Sequence, residues 1–141
     1  MTLRYLIDTS TLSAVIAARP NRHVLRRLTQ YGQHSAIASV VWHELVYGCE
    51  RLERGRRRAE LEAFLRDVVK PSFPILPYDE NAAAWQGTER VRQERAGKPR
   101  PFVDGQIAAI AHTNDLTLVT ANTKDFTHFR GLRVEDWSRE R

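Results

Sequence analysis

The stretch Leu3-Arg4-Tyr5-Leu6-Ile7-Asp8-Thr9-Ser10-Thr11-Leu12 decides the fold. Its apolar, β-forming first half predicts a short buried strand over 3–7, ended by an acid and a run of hydroxyl side chains. Helical spacing begins at once with Leu12, Val15 and Ile16, so a strand passes into a helix with no linker between them. That is the opening of a βαβ unit. In sheets built from such units, ligands gather outside the carboxyl ends of the strands, and Asp8 stands at such an end.

Outward from there, Pro20-Asn21 stops the first helix, and Val24, Leu25 and Leu28 begin a second. Ser35 to Ala38 predicts another strand, with Ser39 as N-cap of a helix over 40–49 that carries Gly48 near its end. Leu61, Phe64, Leu65 and Val68 predict an amphipathic helix within 52–69, closed by Lys70-Pro71. Ile75-Leu76 predicts a third strand, Asp79 an N-cap, and 82–95 a helix that gives way to a loop over 96–101. A helix over 103–112, a strand over 116–120 and a last strand at 133–134 complete the series. Strands separated by helices throughout call for parallel crossovers. The expected class is α/β, a three-layer α/β/α sandwich with a mainly parallel central sheet. With no repeat and no Gly/Ser linker, residues 1–141 are expected to form a single domain.

The 141 residues are 42% hydrophobic and 28% charged, an ordinary globular balance that argues against a disordered or collagen-like chain. One cysteine, Cys49, rules out a disulfide framework and a cysteine-based zinc site, and fits a reducing cytoplasm. The apolar run before Asp8 is too short for a signal-peptide core, and no stretch approaches the ~20 residues of a membrane-spanning helix. Lys and Arg number 22 against 17 Asp and Glu, a formal charge of +5, which makes nucleic acid a partner to consider beside mere solubility.

Four positions break the expected pattern. Asp8 ends the first strand, where it either caps the next helix or serves a site. Glu44 shares a helix surface with Val41, Leu45 and Gly48, so it is expected to face apolar surroundings, paired with an arginine or held for chemistry. Asp104 shares a face with Ile107, Ala108 and Ala111, either as a first-turn acid favoured by the helix dipole or as a second site acid. Asn122 follows the strand at 116–120 and reads as a turn residue unless the other three converge on it. All four leave the same edge of the sheet. Carboxylates gathered there raise one another's pKa, and a divalent cation resolves the repulsion; ligation by oxygen alone points to Mg²⁺ or Mn²⁺.

The motifs Leu6-Ile7-Asp8-Thr9-Ser10, Val40-Val41-Trp42-His43-Glu44-Leu45-Val46-Tyr47-Gly48, Asp104-Gly105-Gln106-Ile107-Ala108-Ala109 and Leu118-Val119-Thr120-Ala121-Asn122-Thr123-Lys124-Asp125-Phe126 stand in an order that resembles a PIN-domain toxin of the VapC type. FitB-like proteins are similar. The resemblance runs from about Leu3 to Trp137, with Gly131 to Trp137 as the closing strand. It implies the three-layer parallel fold and Mg²⁺-dependent endonucleolytic cleavage of RNA to 5′-phosphate and 3′-hydroxyl ends. It implies that Asp8, Glu44 and Asp104 form the acidic triad, with Asp8 and Asp104 as direct metal ligands and Glu44 as a further ligand or a group that positions water. Asn122 stands where many members carry Asp, although Asn also occurs there; Asp125 is placed to supply that charge through water, and the Ser10 hydroxyl to hold Asp8 or a water by a hydrogen bond. The implied partners are a VapB-type antitoxin and a second copy of the chain, in a homodimer and a toxin–antitoxin hetero-oligomer.

The basic residues Arg54, Arg56, Arg57, Arg92, Arg95, Lys98 and Arg100 are then candidates for the RNA backbone, against the plainer reading of a solvated, Glu-interleaved surface. Trp42, Trp85 and Phe102 would stack bases or pack the core. His43-Glu44 is not a zinc-protease helix, because position 47 is Tyr47. An aspartyl-phosphatase lacks its second acid at Ser10, and a receiver domain would need its phosphorylated acid at Asp79. The rival from another class is a catalytically silent binding module, whose acidic pocket receives a partner's basic side chain.

Overall fold

The computed structural model describes residues 2–139. Five short parallel strands, β1 (Tyr5–Ile7), β2 (Ser35–Ala38), β3 (Ile75–Leu76), β4 (Thr117–Val119) and β5 (Val134–Glu135), form one sheet in the order β3-β2-β1-β4-β5. Every residue of β1 and β2 is buried. Successive residues of a strand point to opposite faces, so both faces of the sheet are covered and the three-layer arrangement follows. The chain steps outward from β1 to β2 and β3, then returns to the other side for β4 and β5. The order therefore reverses between β1 and β4, the point at the strand ends where sheets of this kind bind ligands.

The helices are α1 (Thr9–Ile16), α2 (Arg22–Tyr31), α3 (Ser39–Glu50), α4 (Arg56–Phe64), α5 (Lys70–Ser72), α6 (Glu80–Arg95) and α7 (Phe102–Thr113). Asn21 caps α2 by accepting from the amides of His23 (2.9 Å) and Val24 (3.1 Å), which explains why Pro20-Asn21 both ends one helix and starts the next. Asp79 caps α6 through the Ala82 amide at 2.9 Å. Gly97 takes a left-handed φ of 71° after α6, and the Lys98 amide bonds back to the Gln93 carbonyl at 2.8 Å. Leu6, Ile7, Ile37, Val41, Leu118, Val119 and Ile110 fill the centre of the core.

Three expectations change. Ser39 is the first helical residue rather than the cap, because β2 runs directly into α3 and leaves Ala38 in the extended cap position. The helix expected over 52–69 begins only at Arg56, after Gly55. It does not close at Lys70-Pro71 either: a π turn over Leu65–Val69 carries it into α5. Proline cannot donate its backbone nitrogen and crowds the preceding turn, and a widened turn accommodates it. The extra residue rotates the buried face, so Val69 is fully buried while Val68, assigned to the core by spacing, is 46% exposed. Among the described residues no helix is long and apolar enough to cross a membrane.

Candidate active site

Because Ile7 pairs with Val119, the next residues, Asp8 and Thr120, leave their strands side by side. The Asp8 amide continues the ladder to the Val119 carbonyl at 2.9 Å, and the buried Thr120 hydroxyl donates to Asp8 Oδ2 at 2.8 Å. Ser10 Oγ donates to the same oxygen at 3.3 Å, lies 3.2 Å from Thr120 Oγ1, and accepts the Ala121 amide at 3.1 Å. Thr120 Oγ1 also accepts the Asn122 amide at 3.1 Å, so two hydroxyls join both strand ends to one carboxylate. Asp8 occupies the N-cap position of α1, but no side-chain capping bond forms; it is 7% exposed and its side-chain partners are the two hydroxyls.

The other acids surround this point less deeply than the sequence suggests. Glu44 is exposed on α3, not turned into the apolar stripe, because Val41 and Leu45 take the buried face. It is reached by the Thr9 hydroxyl at 3.2 Å. Asp104 is half-buried in the first turn of α7 beside the buried face of Gly105, Ile107, Ala108 and Ala111. Asn122 is exposed; its carbonyl accepts the Asp125 amide at 3.0 Å, so its backbone makes the turn. Asp125 pairs with Arg100 at 3.4 Å.

Electrostatically these groups form one cluster. Burial pushes the Asp8 carboxyl above its usual range, Asp125 adds to the rise, and the Thr120, Thr9 and Ser10 bonds oppose it. Glu44 is raised by loss of water around its carboxylate and by Asp8, against the Thr9 bond. Asp104 is raised by burial and then by Asp125, Asp8 and Glu44, with Arg100 opposing. Among the described residues no ion pair reaches Asp8, Glu44 or Asp104, so the arginine partner considered for Glu44 is not there. The donor set is all oxygen and the carboxylates repel one another, which fits a hard divalent cation. No three acidic, His or Cys side chains among the described residues close into a finished metal cage, so ligands and cation would have to draw together.

A PIN-domain family model matches residues 5–132. This chain belongs to the PIN-domain family. Its sequence is 34% identical over 137 residues to the tRNA(fMet)-specific endonuclease VapC of Shigella flexneri, covering 96% of this chain and 99% of that one. The structure of FitAB bound to a DNA fragment superposes on this PIN domain with a TM-score of 0.89, 26% identity and 97% of both chains covered. DNA-bound VapBC from Salmonella typhimurium follows at 0.85 and 29%, covering 96% of this chain and 99% of that one. The chain thus falls in the VapC and FitB branch of PIN domains, whose VapC nucleases are generally dependent on a divalent metal.

The basic candidates separate by surroundings. Arg56 pairs with Glu60 at 3.0 Å, and Arg57 reaches the Ile16 carbonyl at 3.5 Å. Arg54, Arg95 and Lys98 are exposed. Arg92 forks onto buried Glu89 at 2.7 and 3.0 Å and onto the His128 carbonyl at 2.6 Å, so its donors are engaged inside the protein. Trp85 stacks on His112 with ring centroids 4.6 Å apart, while Phe102 is 53% exposed. Sequence reasoning missed Thr120 and Thr9. Thr120 was legible in principle, since a hydroxyl one residue past β4 must face the residue one past β1 once the two strands are paired.

Proposed function

We propose that this chain is the toxin of a type II toxin–antitoxin pair, an endoribonuclease that requires a divalent cation, Mg²⁺ or Mn²⁺. The near full-length similarity to a VapC endonuclease supports this reading most directly, and the buried Asp8 with no cationic partner at the strand switch agrees with it. In this reading Asp8 and Asp104 hold the cation, Glu44 joins them or orients water, and Asn122 and Asp125 complete the rim. Thr120 and Ser10 hold the Asp8 carboxylate through Oδ2 and so fix its orientation for the cation. A divalent ion there lowers the pKa of water and neutralises charge on a phosphodiester. The first turn of α7, which carries the half-buried Asp104, adds the positive end of a helix dipole on the side of these acids. Exposed basic residues hold the RNA backbone without reading its sequence. Products carry 5′-phosphate and 3′-hydroxyl ends.

The proposed partners are a VapB-type antitoxin and a second copy of the chain, since the structural relatives are VapBC and FitAB complexes, and the proposed location is the cytoplasm. The whole chain, 1–141, is proposed to work as one nuclease domain. The test is incubation of antitoxin-free protein with end-labelled RNA, tRNA(fMet) first, in Mg²⁺ or Mn²⁺ beside EDTA, with chemical analysis of the ends. Metal-dependent cleavage with 5′-phosphate ends is expected. A folded protein that binds antitoxin but cuts no RNA with any metal would instead support the silent binding module.

A further inference from the structure

Arg100 is the one basic residue among those described that forms an ion pair with an acid of the site, through Nη2 to Asp125 at 3.4 Å. Its backbone lies between Pro99 and Pro101, and a residue before proline is held extended, so the side chain leaves a stiff segment two residues ahead of the start of the helix that bears Asp104. The guanidinium is poorly satisfied there. At 3.4 Å the contact is long for a charge-assisted bond, and Arg100 Nε is buried without an acceptor among the described residues. Arg92 shows what a settled arginine does in this molecule, with Nε and Nη2 both on Glu89 and a further bond to a carbonyl. Arg100 is thus a planar fork with unused donors, beside carboxylates that have a use for its charge only while no cation is bound.

We propose that Arg100 is a resident counter-ion of the acidic site that turns to a phosphate of the RNA strand when a divalent cation takes its place among the carboxylates. The proposal rests on the ribonuclease reading above and singles out one residue from its seven basic candidates. In the metal-free protein the guanidinium offsets repulsion between Asp125 and Asp104. Once that repulsion is relieved, the fork offers two parallel N–H groups to a phosphate at the same site.

The experiment compares the parent chain with Arg100→Gln and Arg100→Lys in three readouts. In EDTA, Arg100→Gln should melt a few degrees below the parent and Arg100→Lys close to it, because lysine keeps the charge. In saturating Mg²⁺ the deficit of Arg100→Gln should close. Calorimetric titration with Mn²⁺ should show about fivefold tighter binding to Arg100→Gln, the order expected when one unit charge stops repelling a divalent ion in well-solvated surroundings. In steady-state RNA cleavage Arg100→Gln should raise KM roughly tenfold while kcat stays within about twofold. An equal melting deficit in EDTA and Mg²⁺ would make Arg100 a purely structural residue and overturn the counter-ion role. An unchanged KM would overturn the phosphate role. A parent that cuts no RNA removes the ribonuclease reading and the phosphate role together, and the melting comparison still decides the counter-ion.

Discussion

Two buried carboxylates in this molecule have opposite fates. Glu89 on α6, 4% exposed, accepts the Arg92 fork and the Arg130 amide at 2.8 Å. Burial alone would push its pKa up, but those bonds and the charges of Arg92 and Arg130 prevail and hold it below the ordinary glutamate range. Asp8, 7% exposed, receives only hydroxyl and amide donors, and its pKa is raised. A buried acid paired with a cation and fully bonded ties α6 to the 128–130 turn. One held in place with no cationic side chain is, in the proposed reading, a position kept for a charge from outside the chain.

The contrast breaks most sharply if Asp8→Asn or Asp104→Asn leaves RNA cleavage intact. Each should lower it about a thousandfold, the scale of several kcal/mol of lost transition-state stabilisation, with unchanged circular dichroism. Next in size, Glu89→Ala should cost about 3 kcal/mol in urea unfolding, the lower end for a broken buried pair, because the Arg92 side chain remains 33% exposed to water. A loss within 0.5 kcal/mol would mean that Glu89 is not the tie described. Gly105→Ala comes third. A Cβ there would run into the Gln86 carboxamide, which is buried and bonded to the Phe102 carbonyl at 3.0 Å, so about 1–2 kcal/mol of stability should go as the start of α7 shifts.

The smallest effect is a difference in slope. Where a carboxyl's folded pKa is raised, the folded protein binds more protons than the unfolded chain between the two values, so stability falls as pH rises through that window. Asp104→Asn removes this loss: in EDTA it should melt a few degrees above the parent at pH 7, with the gain fading as pH drops through the carboxylate range. Glu89 has the opposite shift and contributes stability that is present above its unfolded pKa and lost as pH falls through the folded one. Glu89→Gln should therefore be most damaging at neutral pH and converge with the parent in acid. Parallel melting-versus-pH curves for the two variants would erase the distinction.

Much of this was legible in the chain. The strand ends at Asp8 and Thr120, the caps at Asn21 and Asp79 and the Gly97 stop rest on local chemistry that a sequence carries openly. The depth of Glu44 did not, because an acid next to an apolar stripe and one within it differ by a small rotation of α3 that only packing against the sheet sets. Val68 failed for a related reason: helical spacing assumes an unbroken period, and the turn that Pro71 imposes shifts it. Glu89 was hidden in plain view. Ala82, Gln86, Glu89 and Gln93 form the buried stripe of α6, but three of them are polar, so a search for apolar periodicity passes over them.

Asp8 and the Thr120 hydroxyl that holds it are 112 residues apart along the chain. At the ordinary pace of about 5–20 residues per second, synthesis takes roughly 6–22 s to pass from one to the other. A polypeptide that has passed Asp8 but not yet Thr120 therefore carries that acid without the hydroxyl and the neighbouring strand that hold it in place.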